Sequence, residues 1–508
     1  MINLIKTHKF VIFFIILFFV IRLFELNQVG ETWDEIAKIR NGQLHLKAVA
    51  NLDFSYNTWV IHKEHPPFGK VLLALPTYLS KVGVTILDDK VYEQSKQYNL
   101  ARLVSLIFAC GTLFLTYLIS KRWFNKNVAW LSVIGLAMFP HFVAHSFIAT
   151  LESPQTFFTT LLFFVLIYFE NSSKLKDFFI IALVIALGLL VKLSSMFFLP
   201  LPFLFSLTRI VISPTSWRIT GDPLKNLFKK NLIIYFVALI LFVLFWPWLW
   251  ANPILRFIET LGHFNVQRTE YFLGHLVNPP FYYYLYYFAI SVPVIYFVGF
   301  ILGIKNIFSR RYLLIFIWFL LPFLASFSGF KQNGVRYLHS SFPAFSILVA
   351  VGFEHLILDI RRKYILLAIL FVSLVMTNIS VSPYYLDYYN IFVSGSSASG
   401  NGVYVNRLAQ FGWWGEGTKQ AIIFLNKYTK DNVTLCIKVS PAHVLPKINK
   451  NYKVYYDDSN VLSCTSDYLL INTLDQWTKN YTVDTKIYEN IYESKASDAP
   501  LVQIFKHK

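Results

Sequence analysis

Two neighbouring carboxylates, Asp34 and Glu35, follow the first hydrophobic segment of the chain in the sequence Trp33-Asp34-Glu35. A carboxylate within hydrogen-bond reach of a hydroxyl accepts its proton, which makes the hydroxyl a better nucleophile. Adjacent residues on a helix or a strand point in different directions, so only one of the two can be the base at a single site. Ionisable groups at membrane depth are functional candidates, whereas a solvated loop would carry the same residues for solubility alone.

Three basic side chains are candidates to stabilise the charge of a departing phosphate. They are His65 and Lys70, which begin and end the sequence His-Pro-Pro-Phe-Gly-Lys, and Arg336, which is followed by Tyr337 and Leu338. The proline pair after His65 restricts the backbone and with it the directions in which this side chain can point. A lysine or arginine that snorkels to the membrane surface would explain Arg336 equally well.

A second acidic position, Glu152, stands at the start of a hydrophobic segment, with His141 and His145 nearby on the same predicted face. Glu152 either belongs to the site or is a helix-start charge favoured by the helix dipole. Lys192 could neutralise one of the carboxylates inside a helix bundle. The histidines do not form a dense metal-ligand pattern, so a divalent metal is possible but has no support in the sequence.

A bundle of membrane helices must position these residues, because 56% of the 508 residues are hydrophobic and 18% are aromatic. Apolar runs of this length and frequency indicate a polytopic α-helical membrane protein. We predict about eleven transmembrane helices, over residues 9–25, 100–120, 128–145, 154–170, 178–196, 198–212, 231–250, 284–304, 312–328, 338–356 and 364–381.

Lysine and arginine residues collect in alternate loops, which predicts that those loops lie in the cytoplasm together with the N-terminus. Much of the formal net charge of +18 therefore follows from topology, and it does not indicate nucleic-acid binding. No small-residue cleavage site follows the first segment, so we interpret it as an uncleaved anchor. Eleven spans then place Asp34, Glu152, Arg336 and the C-terminal region outside the cytoplasm.

We divide the chain into a transmembrane catalytic domain, residues 1–381, and a small extracytoplasmic α/β domain, residues 382–508. The first outer loop, about residues 26–99, is long enough to be structured. Its segment 71–79 is too short to cross the bilayer and is interpreted as interfacial. In the C-terminal domain we predict a helix over residues 416–428 and strands over 433–439, 453–456, 468–471 and 501–505.

Two of the three cysteines, Cys436 and Cys464, fall in the domain predicted to be exported. An oxidising compartment permits a disulfide between them. Two free thiols are the alternative.

Taken together, these motifs resemble the polyprenyl-phosphate-sugar-dependent glycosyltransferases of the membrane-embedded C-type fold. Within that group the sequence is most similar to the protein O-mannosyltransferase family and its prokaryotic relatives, which include the aminoarabinose transferases. The resemblance covers most of the chain. It rests on the order and spacing of residues 34–35, 65–70, 145–158, 188–194, 246–248, 336–338, 383–390 and 413–417.

The resemblance implies an inverting transfer of a monosaccharide from a polyprenyl-phosphate-linked donor to an acceptor hydroxyl on the outer face of the membrane. It implies that Asp34 is the base with Glu35 in support, that His65 and Arg336 lie near the donor phosphate, and that no cofactor or metal is obligatory. Many relatives have aspartate at the position of Glu152. The acceptor would be a protein, a glycolipid or a cell-envelope polymer at a bacterial or archaeal plasma membrane.

The main alternative is a transporter or flippase for lipid-linked or polar substrates, in which the buried charges would line a pathway. A scaffold or assembly protein is a third reading. The long outer loop with its paired acids, the exported domain and the lack of an evident internal repeat favour the enzyme. The motifs do not name the sugar, the polyprenol or the acceptor, because pocket shape determines specificity.

Overall fold

The computed structural model describes residues 2–80, 95–212, 223–267, 269–328, 331–354, 356, 360–394, 406–438, 448–457 and 464–508. Helices dominate the chain as far as residue 394. Their bounds are α1 Ile2–Glu25, α2 Trp33–Ala50, α3 Tyr56–Trp59, α4 Pro67–Leu79, α5 Ser95–Trp123, α6 Lys126–Ala137, α7 Pro140–Ser146, α8 Glu152–Tyr168, α9 Leu175–Val191, α10 Leu201–Ile212, α11 Pro223–Leu244, α12 Pro253–Gly262, α13 Tyr283–Ser291, α14 Val294–Gly303, α15 Arg310–Leu320, α16 Phe342–Glu354, α17 Ile360–Val381 and α18 Ile391–Ser394.

The chain is a multi-pass membrane protein, with five helices among the described residues that are long and apolar enough to cross a bilayer. Two bent helix pairs, α6 with α7 at 67° and α13 with α14 at 109°, raise this number to seven if each pair is one span. Every one of the eleven predicted segments contains helical backbone. The number eleven itself stays a prediction, because several of these helices are shorter than the bilayer requires.

Two helices of the first outer loop, α2 and α4, cross at very short range. A Cβ atom at Gly42 of α2 would lie 2.1 Å from the backbone oxygen of Lys70 and 2.6 Å from the Cβ atom of Ala74, both on α4. Only glycine permits backbones to approach so closely. The 13-residue α4, which begins at Pro67, is too short to span a bilayer, in agreement with the predicted interfacial segment.

The C-terminal region contains a five-stranded mixed sheet. Its strands are β3 Thr434–Lys438, β4 Lys453–Tyr456, β5 Tyr468–Asn472, β6 Tyr488–Ala496 and β7 Ala499–His507, in the spatial order β4-β3-β5-β7-β6. The first three are parallel, whereas β7 is antiparallel to both of its neighbours. The helices Thr418–Tyr428 and Thr473–Lys479 accompany the sheet, and a separate hairpin is formed by β1 Glu270–Phe272 and β2 His275–Val277.

The small C-terminal sheet and the helical bundle agree with the predicted architecture, and the predicted strands 453–456, 468–471 and 501–505 lie within two residues of the observed bounds. The predicted strand 433–439 overlaps β3, and its last residue, Val439, lies outside the described residues. Cys436 on β3 and Cys464 are joined by a disulfide, with their Cα atoms 6.4 Å apart.

Contacts tie the C-terminal region to the end of α1 and the start of α2. The backbone N–H of Trp33 donates to the carbonyl of Trp414 at 3.3 Å, and the Tyr385 hydroxyl donates to Glu25 at 3.0 Å. The aromatic segment 413–414 is therefore held against the start of α2. The division at residue 381 stays a prediction.

Candidate active site

A cavity of about 710 Å³ lies between α2, the segment 332–337 and the aromatic segment 413–414. Four of the predicted site residues line it: Asp34, His65, Lys192 and Arg336. Tryptophans 33, 413 and 414 form a large part of its wall, together with the polar residues Glu270, Gln332, Asn333 and Gln410. Aromatic faces beside a few convergent polar groups are typical of a small-molecule site.

Asp34 presents its carboxylate to the cavity from the first turn of α2. Its side chain is 24% exposed, and Oδ2 lies 2.6 Å from Nη2 of Arg336. Burial alone would raise the pKa of Asp34, but the charges of Arg336 and Lys38 outweigh burial and hold that pKa below its ordinary value. The carboxylate is therefore ionised at neutral pH and accessible from the cavity.

Glu35 points away from the cavity, as expected for the neighbour of Asp34 on a helix. Its carboxylate is fully buried and accepts both Nε and Nη2 of Arg102, each at 2.6 Å. It also accepts the backbone N–H groups of Thr32, at the start of α2, and of Ala149. These hydrogen bonds hold the start of α2 in position. Because Glu35 is buried and points away from the cavity, it lies behind the cavity wall.

Arg336 joins two carboxylates. In addition to Asp34, its Nε lies 2.5 Å from Oε1 of Glu152, which begins α8, and its guanidinium lies 4.6 Å from the centre of the Trp414 ring. Lys192 contacts the same Glu152 oxygen at 2.7 Å, so this lysine does pair with one of the predicted carboxylates. Burial lowers and the two carboxylates raise the pKa of Arg336, with a net rise, so the guanidinium stays charged.

Lys38 is a cavity residue that the sequence analysis missed. It lies four residues after Asp34, on the same face of α2, and is only 5% exposed. Among the described residues its ammonium group has no hydrogen-bond or ion-pair partner. The four-residue spacing of Asp34 and Lys38 could have indicated that both side chains share one helix face. A single lysine near a membrane surface, however, is weak evidence for a binding site.

His65 reaches the cavity, whereas Lys70 does not. Burial and the charge of Lys38 hold the pKa of His65 well below its ordinary value, so the imidazole is neutral at pH 7 and acts as a hydrogen-bond partner, not as a cation. Lys70 is 1% exposed and donates to the backbone oxygen of His62 at 2.9 Å. Burial lowers the pKa of Lys70 to about 7. The structure thus brings Lys38, and not Lys70, to the cavity.

His145 lies behind the cavity among aromatic side chains. Its ring is 4.8 Å from the ring of His339 and 5.7 Å from that of Trp414, and its Nδ1 lies 3.3 Å from the Thr150 hydroxyl. His145 is 1% exposed. These contacts suit a side chain that supports Trp414 and do not bring it to the wall of the main cavity.

The segment that carries Trp413 and Trp414 is anchored by two buried acids. Asp387 Oδ1 accepts the backbone N–H of Gly412, and Glu416 Oε2 accepts that of Trp414, each at 2.7 Å. The second oxygen of each carboxyl group is buried without a hydrogen-bond partner among the described residues. Burial raises the pKa of Asp387 well above its ordinary value and that of Glu416 to about 7, and repulsion between the two groups adds to the rise for Asp387.

Comparison with known proteins gives one family match and several structural similarities. Residues 56–258, less than half of the chain, match the model of the dolichyl-phosphate-mannose-protein mannosyltransferase family. Comparison with curated proteins gives no significant match.

The structure is similar to ArnT from Cupriavidus metallidurans in the apo state, with 16% identity and a TM-score of 0.52 over 74% of this chain and 66% of that chain. ArnT from the same organism bound to undecaprenyl phosphate gives 16% identity and a TM-score of 0.52, over 77% of this chain and 66% of that chain. The archaeal oligosaccharyltransferase AglB from Archaeoglobus fulgidus, in complex with an inhibitory peptide and a dolichol-phosphate, gives 12% identity and a TM-score of 0.44, over 75% and 55%.

The similarity to ArnT shows the fold, which is the membrane-embedded fold of the C-type glycosyltransferases, and the predicted fold class is confirmed. This chain spans just under two thirds of the length of ArnT. Activity, substrates and partners must therefore be argued from the cavity itself.

Proposed function

We propose that this protein transfers a monosaccharide from a polyprenyl-phosphate-linked donor to an acceptor hydroxyl on the outer face of the membrane. One observation carries the proposal: a cavity in a C-type fold that combines an accessible carboxylate, Asp34, with the buried cations Arg336 and Lys38. Among the described residues, the ammonium group of Lys38 has no hydrogen-bond or ion-pair partner, so one positive charge at the cavity is not paired. This charge suits an anionic phosphodiester.

The proposed step is a single displacement. The acceptor oxygen forms a bond to the anomeric carbon of the sugar, and Asp34 takes the proton of the acceptor hydroxyl. The bond between the anomeric carbon and the phosphate oxygen breaks, and the polyprenyl phosphate leaves with the bonding electrons. Attack from the face opposite the leaving group inverts the anomeric configuration.

Arg336 and Lys38 would stabilise the negative charge that develops on the phosphate, and neutral His65 would hydrogen-bond to it. Lys192 is occupied by Glu152, so we assign it the task of holding Glu152 and, through that carboxylate, Arg336. Trp33, Trp413 and Trp414 offer apolar faces for the sugar ring. No step requires a metal ion or a cofactor.

The comparisons support a lipid phosphate as the donor carrier. The matched family model is described by its dolichyl-phosphate-mannose donor, and one of the similar ArnT structures holds undecaprenyl phosphate. The sugar, the polyprenol and the acceptor, whether a protein, a glycolipid or a cell-envelope polymer, stay open. We place the reaction at the outer face of the membrane because basic loops alternate along the chain. The bacterial or archaeal plasma membrane is the location that the resemblance implies.

The decisive variant is Asp34→Asn. We expect it to be expressed and inserted normally and to lose sugar transfer by at least about a hundredfold, because the amide cannot accept the hydroxyl proton. The assay supplies the full-length protein in liposomes with a panel of radiolabelled polyprenyl-phosphate sugars and follows the label into acceptor.

Asp53→Asn is the matched control. Asp53 lies in the same outer loop, and among the described residues its carboxylate accepts hydrogen bonds from Ser55 and Thr58 alone, so transfer should be retained. Full activity of Asp34→Asn would refute the assignment of the base. Movement of the lipid-linked sugar across the liposome membrane, with its glycosidic bond intact, would instead establish the transporter alternative.

A further inference from the structure

A second cavity, of about 410 Å³, lies between α9, α10 and α11 and shares no lining residue with the Asp34 cavity. Lys229, Lys230 and Arg209 lie at its polar part, near loops that the charge pattern assigns to the cytoplasm. Its apolar part includes Phe178, Ile181 and residues 233–234. One ligand would therefore meet cations at one end and hydrocarbon at the other.

The two acidic groups near this cavity have other partners, and they are fewer than the cations Arg209, Lys229, Lys230 and Arg310. Glu170 lines the cavity, but its Oε1 lies 2.6 Å from Nη2 of Arg310. The Asp177 carboxylate accepts the hydroxyl hydrogen of Ser172. The ammonium group of Lys230 lies 5.2 Å from the centre of the Phe178 ring, and among the described residues Lys229 has no hydrogen-bond or ion-pair partner. The cavity is thus positively charged.

The adjoining surface of α11 is strongly apolar. Phe228, Leu232 and Phe236 are each more than 60% exposed and follow one another at helical spacing. They do not line the cavity, but they lie on the side of the helix next to Lys229. In a membrane protein such a face contacts acyl chains. A soluble phosphate would use the cations but not this surface, whereas an anionic lipid would use both.

We propose that this cavity binds the head group of an anionic glycerophospholipid from the cytoplasmic leaflet. The phosphate lies against Lys229 and Lys230, and one acyl chain follows the exposed face of α11. This inference is independent of the proposed transferase activity, because none of its residues belongs to the Asp34 cavity.

The test measures lipid binding to the full-length, delipidated protein by native mass spectrometry with phosphatidylglycerol or phosphatidylcholine. We expect retention of at least one phosphatidylglycerol under conditions that remove phosphatidylcholine. The double variant Lys229→Gln/Lys230→Gln should weaken phosphatidylglycerol binding about thirtyfold, because each lysine near an anionic head group strengthens binding about fivefold.

The matched control is Lys126→Gln/Lys305→Gln, which removes two exposed lysines near helix ends on the same predicted side. It should bind phosphatidylglycerol like the unmodified protein. Equal retention of both lipids, unchanged binding by the Lys229/Lys230 variant, or an equal loss in the control would each overturn the proposal. Displacement of the lipid by millimolar glycerol phosphate would overturn it too, because the site would then recognise free phosphate.

Discussion

Lys38 provides the clearest test of the proposed contact with the donor phosphate. Its ammonium group is buried at the cavity and unpaired among the described residues. We expect Lys38→Gln to reduce kcat/KM for the donor by about tenfold or more, because one charge-assisted contact to the phosphate is lost. Lys38→Arg should restore most of this loss. Steady-state kinetics with varied donor concentration would measure both.

Lys47→Gln is the control for this prediction, because Lys47 lies on the same helix but does not line the cavity. Its kinetics should match those of the unmodified protein. Equal kinetics for Lys38→Gln and the unmodified protein would remove Lys38 from the phosphate site.

Sequence reasoning at the residue scale predicted four of the residues that line the cavity but not the others. Asp34, Arg336, His65 and Lys192 were all predicted, because ionisable groups in apolar surroundings stand out. Lys70 stood out equally, yet its packing against α2 buries the ammonium group beneath the loop. Which of two nearby lysines reaches a cavity depends on helix rotation, which residue types do not determine.

At the scale of elements, the crossing of α2 and α4 sets the position of Asp34. We expect Gly42→Ala to lower the melting temperature and sugar transfer together, because the added methyl group would meet the backbone of Lys70 at 2.1 Å. Overpacking of this kind costs about 1–3 kcal/mol. Thermal unfolding in detergent, followed alongside activity, provides the measurement.

Gly262→Ala is a suitable comparison, since a Cβ atom there would meet no atom within 4 Å. This variant should keep the melting temperature and activity of the unmodified protein. Unaltered stability of Gly42→Ala would show that α2 and α4 are farther apart than described.

The buried acids Asp387 and Glu416 make the aromatic segment 413–414 sensitive to pH. Burial raises both pKa values, that of Glu416 from 4.5 to about 7, so the folded protein binds more protons than the unfolded chain between these limits. Stability is therefore highest at the acidic end of this window and decreases as pH rises through 7. The melting temperature should fall between pH 5 and pH 8.

Glu416→Gln should flatten this profile, because the amide remains neutral at every pH and can still accept the N–H of Trp414. Glu493→Gln, which changes an ion-paired glutamate on β6, should leave the profile unchanged. If the melting temperatures of Glu416→Gln and the unmodified protein fall equally as pH rises, another group is responsible for the pH dependence.

Elements with strong local patterns were predictable, and those defined by tertiary pairing were not. The strand at 453–456 was predicted with the observed bounds, because β-favouring residues are bounded by turn residues. β6 was missed, since it is a polar edge strand that is paired only to β7 and its register shifts at Asn490 and Tyr492. The β1–β2 hairpin has only three residues in each strand, too few for a periodic signal.

At the scale of the whole molecule, the disulfide tests the proposed outside location of the C-terminal region. Cys436 and Cys464 should resist alkylation until a reductant is added, because an oxidising compartment preserves their bond. Non-reduced peptide mapping of the protein purified from membranes would detect the linked peptides. Cys110, the free cysteine, should be alkylated after denaturation without reduction and serves as the internal control.

Alkylation of Cys436 and Cys464 without reduction would remove both the disulfide and the support it gives to an outside location.

Hydropathy predicted the positions of the helices well, because the length of an apolar segment is a direct consequence of the bilayer thickness. It did not determine how the bundle bends, because hydropathy does not register Pro140 and Pro293, beside which the 67° and 109° breaks lie.

The ion pair between Arg336 and Asp34 has a consequence for the order of substrate binding. An acceptor that enters first finds the Asp34 carboxylate engaged by the guanidinium at 2.6 Å. A donor phosphate that pairs with the Arg336 guanidinium releases the Asp34 carboxylate. The ion pair then no longer lowers the pKa of Asp34, so Asp34 becomes a stronger base. The proposed transfer would then follow a compulsory-order mechanism, in which the donor binds first and frees the base and the acceptor always binds second.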